Sequence, residues 1–169
     1  MDKKASVFII MGVSGCGKST IGRLLADTFK IPFFDGDDYH PEVNVKKMAS
    51  GNPLNDADRA GWLRRLNDLA IEFKATGVVI ACSALKESYR KILRENLKNE
   101  IEFVFLQGTF EEISHRLNQR KNHFMPSGLL ESQFDALEIP KDAISVSITK
   151  TPSQIITDIL MLRKQKNPD

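Results

Sequence analysis

The stretch that decides the fold is Ala5-Ser6-Val7-Phe8-Ile9-Ile10-Met11, followed at once by Gly12-Val13-Ser14-Gly15-Cys16-Gly17-Lys18-Ser19-Thr20. Its first half is a continuous apolar run rich in strand formers, which predicts a buried β-strand. The second half fits G-x-x-x-x-G-K-[ST], and Ile21, Leu24, Leu25, Thr28 and Phe29 then recur at helical spacing. Glycines at these positions let successive backbone N–H groups point into one concavity. A helix beginning near Lys18 adds the positive end of its dipole. Lys18 supplies charge to β- and γ-phosphates, and the Ser19 hydroxyl can ligate Mg²⁺. Gly12, Val13, Ser14, Gly15, Cys16, Gly17, Lys18, Ser19 and Thr20 are therefore read as an ATP-binding loop. Cys16 is a small filler there, without a redox role. The bland alternative is a glycine-rich strand-to-helix turn with an incidental lysine; placement between strand and helix favours the phosphate reading.

Outward from this loop, apolar runs and helical patterns alternate. Strands are expected over 31–34, 78–81 and 101–106 and through Ile144, Val146 and Ile148. Helices are expected over 56–76, 86–99 and 110–121, with a last one from Pro152. Trp62, Leu66, Leu69 and Phe73 share one face of the long helix, and Gly77 is its stop. This rhythm implies an α/β fold, a parallel sheet of about five strands covered on both faces. Ligands of such sheets sit beyond the carboxyl ends of the strands. That rule singles out 12–19, 35–37, 82–86 and 107–108.

Composition narrows the class of partner. The chain has 169 residues, 41% of them hydrophobic, with 24 Lys and Arg against 22 Asp and Glu, a net charge of +2. Such a balance offers no basic field for nucleic acid, and no apolar run near the N-terminus approaches the ~18 residues of a membrane span. Two cysteines, Cys16 and Cys82, make no disulfide framework. Three histidines without ligand spacing give no reason to expect a protein-built metal cage. The expectation is a reduced, cytoplasmic, single domain over 1–169, with neither nucleic-acid nor membrane partners.

The same loop serves switches and motors. A GTP switch would carry N-K-x-D, which does not occur; a motor would end an apolar strand in Asp, whereas Val78–Ala81 runs into Cys82-Ser83. Asp35, ending the second apolar run, is the best-placed carboxylate for the metal. Small size and a basic helix in the C-terminal third suit a small-molecule kinase that closes a lid over ATP. The acceptor must then be read between Asp35 and Arg65, where Asp35, Asp37, Asp38, His40, Asn44, Asn52, Asn55, Asp56, Asp58 and Arg59 crowd together. Few cations converge there, so an acceptor rich in hydroxyls fits better than a nucleoside monophosphate. The rigid fork of Arg59 suits one carboxylate, although Arg59 could instead pair with Asp56 or Asp58 on its own helix. Asn55 or Asp56 could merely cap that helix.

These residues resemble the P-loop gluconokinases. The likeness rests on Gly12 to Thr20, Asp35-Gly36-Asp37-Asp38-Tyr39-His40-Pro41, Met48 to Arg59, Cys82-Ser83-Ala84-Leu85-Lys86 with Tyr89-Arg90, and Arg116-Leu117 with Arg120. His123-Phe124-Met125-Pro126 and Leu129-Leu130 through Ser132-Gln133-Phe134 complete it, over about residues 7–140. Gly61, where relatives commonly have Pro, and the Lys-Asp-Ala-Ile stretch after Pro140 depart from the pattern. The resemblance implies transfer of the ATP γ-phosphoryl group to the 6-hydroxyl of D-gluconate, with Mg²⁺. It also implies an adenylate-kinase-like arrangement with an acceptor-binding segment at about 38–66 and a lid at about 120–138, as a homodimer.

Roles follow as expectations. Lys18 and Ser19 serve the phosphates. Asp35 serves the metal or orients the attacking hydroxyl; Asp37 equally could take its proton. The i, i+2 spacing puts both on one side if strand geometry continues through Gly36. His40, Asp56, Arg59, Lys86 and Arg90 are read as acceptor contacts, and His123 and Gln133 as contacts made when the lid closes. Arg116 and Arg120, four apart on one helix, are expected near adenine and on the transferring group, as in similar kinases.

Overall fold

The structure, a computed structural model, describes residues 6–120 and 127–168. Five parallel strands, β1 (Val7–Met11), β2 (Phe33–Asp35), β3 (Val78–Ala81), β4 (Ile101–Gln107) and β5 (Ile144–Ser147), form one sheet in the order β2-β3-β1-β4-β5. Around it lie α1 (Lys18–Phe29), α2 (Glu42–Ala49), α3 (Asp56–Phe73), α4 (Glu87–Arg94), α5 (Phe110–Gln119), α6 (Ser127–Ala136) and α7 (Pro152–Lys166). The chain leaves β1 for one edge, returns through β3, and crosses to β4 on the other side of β1. The carboxyl end of β1 thus lies where the winding reverses, the place at which such sheets bind ligands.

Alternating side chains divide the strands between two cores. Phe8, Ile10, Val79, Val104 and Leu106 pack with Ile21 and Leu25 of α1, Ile113 of α5, and Ile155 and Ile159 of α7. Val7, Ile9, Met11, Val78, Ile80, Phe103 and Phe105 pack with Trp62, Leu63, Leu66 and Leu69 of α3 and with Tyr89 and Leu93 of α4. Both sheet faces are covered, which is why the strands read as unbroken apolar runs. Three helices open on reciprocal capping boxes: Asn55 with Asp58, Thr109 with Glu112, and Thr151 with Gln154. Asn55, not Asp56, is the cap of α3.

Several expectations are corrected. The second strand begins at Phe33, not Ile31, and includes Asp35. The helix expected over 86–99 ends at Arg94, because Asn96 and Lys98 take left-handed torsions that no helix accommodates. Leu24, placed by periodicity on the buried face of α1, is exposed. Neither α2 nor α6 was anticipated: α2 is short and its Val43 and Val45 face solvent, so it carries no apolar stripe. Helix α5 stops at Gln119, so Arg120, with extended backbone, does not continue the helical face that carries Arg116. Among the described residues, no helix is long and apolar enough to cross a membrane.

Candidate active site

The glycine loop bridges β1 and α1. Gly12, Gly15 and Gly17 have φ of 147°, 82° and 97°, torsions that side chains rarely adopt. At Gly12 a β-carbon would also strike Cys16 Sγ at 2.7 Å, so buried Cys16 fills the underside of the loop as expected. The Gly12 N–H donates to the Ser83 carbonyl at 3.2 Å, tying the loop to the end of β3. Lys18 Nζ curls back to donate to the Gly12 and Val13 carbonyls, both at 3.1 Å. Thr20 lies exposed on the first turn of α1. Arg116 stands beside the loop: a β-carbon on Gly17 would lie 3.8 Å from its Nη1, and its Nη2 donates to the Ile148 carbonyl after β5.

The aspartates of 35–37 meet this loop differently from the expectation. Strand geometry stops at Asp35, because its Oδ1 accepts the Asp37 N–H at 3.0 Å and starts a single 3₁₀ turn, Gly36–Tyr39. Its Oδ2 accepts from Ser19 Oγ at 2.7 Å. Both oxygens of Asp35 are thus engaged. The Asp37 carboxyl is raised above the usual carboxylate range by desolvation first, then by the Asp35 charge, while Lys18 opposes the shift. A hydroxyl and a carboxylate beside a phosphate loop are hard oxygen donors and fit Mg²⁺, which commonly rests on one or two such groups plus phosphates.

A second cleft, about 540 Å³, opens between the start of α3, the loop after β3, and α6. Arg59, Asp56, Lys86, Ser132 and Gln133 contribute to its wall. Lys86 Nζ donates to Asp56 Oδ1 at 3.1 Å, and the Tyr89 hydroxyl donates to the same oxygen. These two hydrogen bonds, Tyr89 first, hold the Asp56 carboxyl below its ordinary range. Arg59 pairs with neither helix neighbour. Asp58 is taken by Lys47 at 2.6 Å, while Arg59 Nη1 donates to the Leu54 carbonyl and, at 3.2 Å, to the Tyr89 hydroxyl. The guanidinium also lies 5.5 Å from the Tyr89 ring centre. Gln133 joins the two sites: its Oε1 accepts the Ser14 N–H at 2.7 Å, and its Nε2 donates to Ser14 Oγ at 3.1 Å.

Next to Arg59, the His40 ring stacks on Trp62 with centres 4.0 Å apart. Trp62 is itself fixed by donating from Nε1 to the Gly36 carbonyl at 2.7 Å. Burial, seconded by the Arg59 charge, pushes the His40 imidazole down to about 4. In the sequence Asn44 stands only as one of the crowded polar residues and Tyr89 only as part of the resemblance, neither with a role. The i, i+3 spacing of Lys86 and Tyr89, which faces both toward α3, was the available signal for the tyrosine.

One expected contact lies elsewhere. Arg90 is not at the cleft: it is 1% exposed and donates to the Ala84 carbonyl at 2.7 Å, the Glu138 carbonyl at 2.9 Å and Glu87 at 3.0 Å. Ala84 has φ of 46°, so the arginine clamps a strained turn. Arg120 is exposed at the end of α5. His123 lies outside the described residues. Burial pushes the Cys82 thiol up to about 12, which leaves it unreactive at the end of β3.

A phosphate cradle alone does not separate switches, motors and kinases. Here an acceptor-sized cleft shares Gln133 with that cradle, and the sheet winds in one parallel layer around it, which places the chain among P-loop kinases. The shikimate kinase family model matches residues 14–156. A Xenopus tropicalis protein named probable gluconokinase is 42% identical over 172 residues, covering 90% of each chain. The thermoresistant gluconokinase of Escherichia coli K12 is 41% identical over 165 residues, covering 94% of each. A solved gluconokinase from Sinorhizobium meliloti 1021 superposes with a TM-score of 0.88 at 36% identity, over 97% of this chain and 95% of that one. The chain belongs to the gluconokinase family.

Proposed function

We propose that this protein transfers the γ-phosphoryl group of ATP to the 6-hydroxyl of D-gluconate, forming 6-phospho-D-gluconate and ADP. The observation that carries the reading is the cleft between Arg59 and Gln133, which gives one guanidinium to a carboxylate and hydrogen-bonding groups to a polyol beside the phosphate loop.

Phosphoryl transfer asks for positioning and charge neutralisation more than for covalent work. Lys18 leaves its loop carbonyls for the β- and γ-phosphate oxygens, and the loop amides line the same oxygens. Ser19 and Asp35 would hold Mg²⁺, which when bound would neutralise charge on those phosphates. With Asp35 tied to Ser19 and given to the metal, Asp37 is assigned the proton of the 6-hydroxyl. The oxygen attacks the γ-phosphorus as the bond to the β–γ bridging oxygen breaks. Arg59 reads the gluconate carboxylate, and Lys86, Asp56 and His40 contact its hydroxyls. Arg116 packs at the base side, while Arg120, His123 and Gln133 act as the lid segment, 120–138, closes. The resemblance to gluconokinases supports a cytoplasmic homodimer built of one domain with an acceptor-binding segment at 38–66.

A coupled ADP-release assay over gluconate, shikimate and nucleoside monophosphates tests this reading. Turnover with gluconate alone is expected. Preference for shikimate, the substrate class named by the matching family model, would transfer the assignment to that acid.

A further inference from the structure

We infer that Asn44 locks His40 as the uncharged tautomer protonated on Nε2, so that His40 offers the acceptor a fixed N–H donor. The inference deepens the reading of the cleft as a gluconate site and rests on it.

The lock follows from donors and acceptors alone. Asn44 is buried, 2% exposed, and its Nδ2 lies 2.9 Å from the Asp58 carbonyl oxygen. A carbonyl only accepts, so the amide orientation is decided: nitrogen, not oxygen, faces Asp58. The same Nδ2 lies 3.3 Å from His40 Nδ1. Its second hydrogen therefore points at Nδ1, which must be the bare, accepting nitrogen. A proton on Nδ1, in the other tautomer or in the cation, would set N–H against N–H in a buried place. Rotating the amide to relieve that contact would set two oxygens against each other at Asp58.

The rest of the surroundings agrees. One ring face is covered by Trp62. Nε2 makes no hydrogen bond among the described residues, and no described buried side-chain nitrogen or oxygen lacks a partner, so Nε2 is at the solvent-reached edge. The charged groups facing this region oppose a further cation. Arg59 of α3 presents its guanidinium, and the Asp58 carboxylate is held by Lys47 of α2 at 2.6 Å. Burial and Arg59 together push the imidazole down to about 4. A neutral donor beside Arg59 reads a hydroxyl oxygen without competing for the carboxylate. Asn44 is thus a positioning residue, acting through His40.

Long-range ¹⁵N–¹H correlation on histidine-labelled full-length protein tests this directly, with the His40 signals assigned by their loss in His40→Gln. A bare Nδ1 and a protonated Nε2 are expected from pH 8 to pH 5. A proton on Nδ1, or a doubly protonated ring at pH 7, overturns the inference. Asn44→Asp, whose carboxylate accepts from Nδ1, should move the proton to Nδ1 or add a second one. Should that variant fail to fold, two substitutions at the histidine decide. His40→Gln keeps a donor near Nε2 and should hold KM for gluconate within about threefold, whereas His40→Phe keeps the stack and should raise it ~10-fold or more, with KM for ATP unchanged in both. Equal gluconate KM in these two variants overturns the donor role. Absence of gluconate turnover in the unaltered protein would instead defeat the substrate reading, while the tautomer remains measurable.

Discussion

Replacing Gly36 by alanine tests whether the turn between the two aspartates is set by crowding. A β-carbon there would lie 2.4 Å from the Ala81 carbonyl oxygen and 3.1 Å from Leu66 Cδ1. The first obstacle is the backbone of β3, which cannot swing aside as a side chain can. Ordinary contact begins near 3.4 Å, so the two backbones must part by about 1 Å. Overpacking of this kind costs ~1–3 kcal/mol, a fall in Tm of roughly 2–12 °C for a chain of this size. Asp35 is paired in register with Ala81, and its Oδ2 is 2.7 Å from Ser19 Oγ. Moving it by about 1 Å takes that hydrogen bond past its limit of ~3.0 Å for a hydroxyl donor. Displacement on this scale at a reacting centre costs up to ~100-fold. Gly36→Ala should therefore lower kcat by roughly 10- to 100-fold, measured at saturating ATP and gluconate, alongside a lower melting point by circular dichroism. Gly61→Ala is the opposite-signed control. Nothing lies within 4 Å of its β-carbon, and it sits inside α3, so a gain of about 0.5–1 kcal/mol is expected. A Gly36→Ala protein with unaltered Tm and kcat would refute the crowding argument.

Three further outcomes follow. Arg59 is half-buried with one nitrogen already engaged, so the ~2–5 kcal/mol of a buried charge pair is discounted to about 2 kcal/mol. Arg59→Ala should raise KM for gluconate roughly 30-fold and leave KM for ATP alone; an equal rise in both would indicate a folding role. Arg90→Ala should lose ~2–4 kcal/mol of stability, since the buried guanidinium's bonds to Ala84 and Glu138 go with it. An unaltered melting point with a raised gluconate KM would return Arg90 to the cleft. His40, depressed to about 4 in the folded chain from an ordinary 6.5, binds its proton more readily when unfolded. Its contribution is full above pH 6.5 and is lost as pH falls toward 4. Stability of His40→Gln should therefore decline less over that window than that of the unaltered protein, and parallel slopes in urea melts would contradict the burial argument.

How much of this was legible depended on how local the signal was. The glycine loop and the apolar strands each specify their geometry within a few residues, and they appear nearly where motif and periodicity put them. Helix α2 was not legible because it buries little. The fate of Arg90 was invisible because its partners, Ala84 and Glu138, are separated by 54 positions and meet only when α6 returns to the loop after β3. The spacing of Asp35 and Asp37 puts both on one side only if strand geometry continues through Gly36; instead Asp35 uses one oxygen to cap its own turn, a competition that a carboxylate followed by glycine often wins. Arg59 was ambiguous between its helix neighbours and a ligand. Tertiary partners remove the first alternative, Lys86 and Tyr89 taking Asp56 and Lys47 taking Asp58.

Phosphorus-31 NMR of the protein with ATP, Mg²⁺ and D-gluconate tests the central claim most directly. A phosphomonoester signal coupled to the C6 methylene protons should grow in step with ADP, and Lys18→Ala should abolish it while keeping a folded circular dichroism spectrum. ADP appearing without that signal, or label settling on another acceptor, would contradict the account.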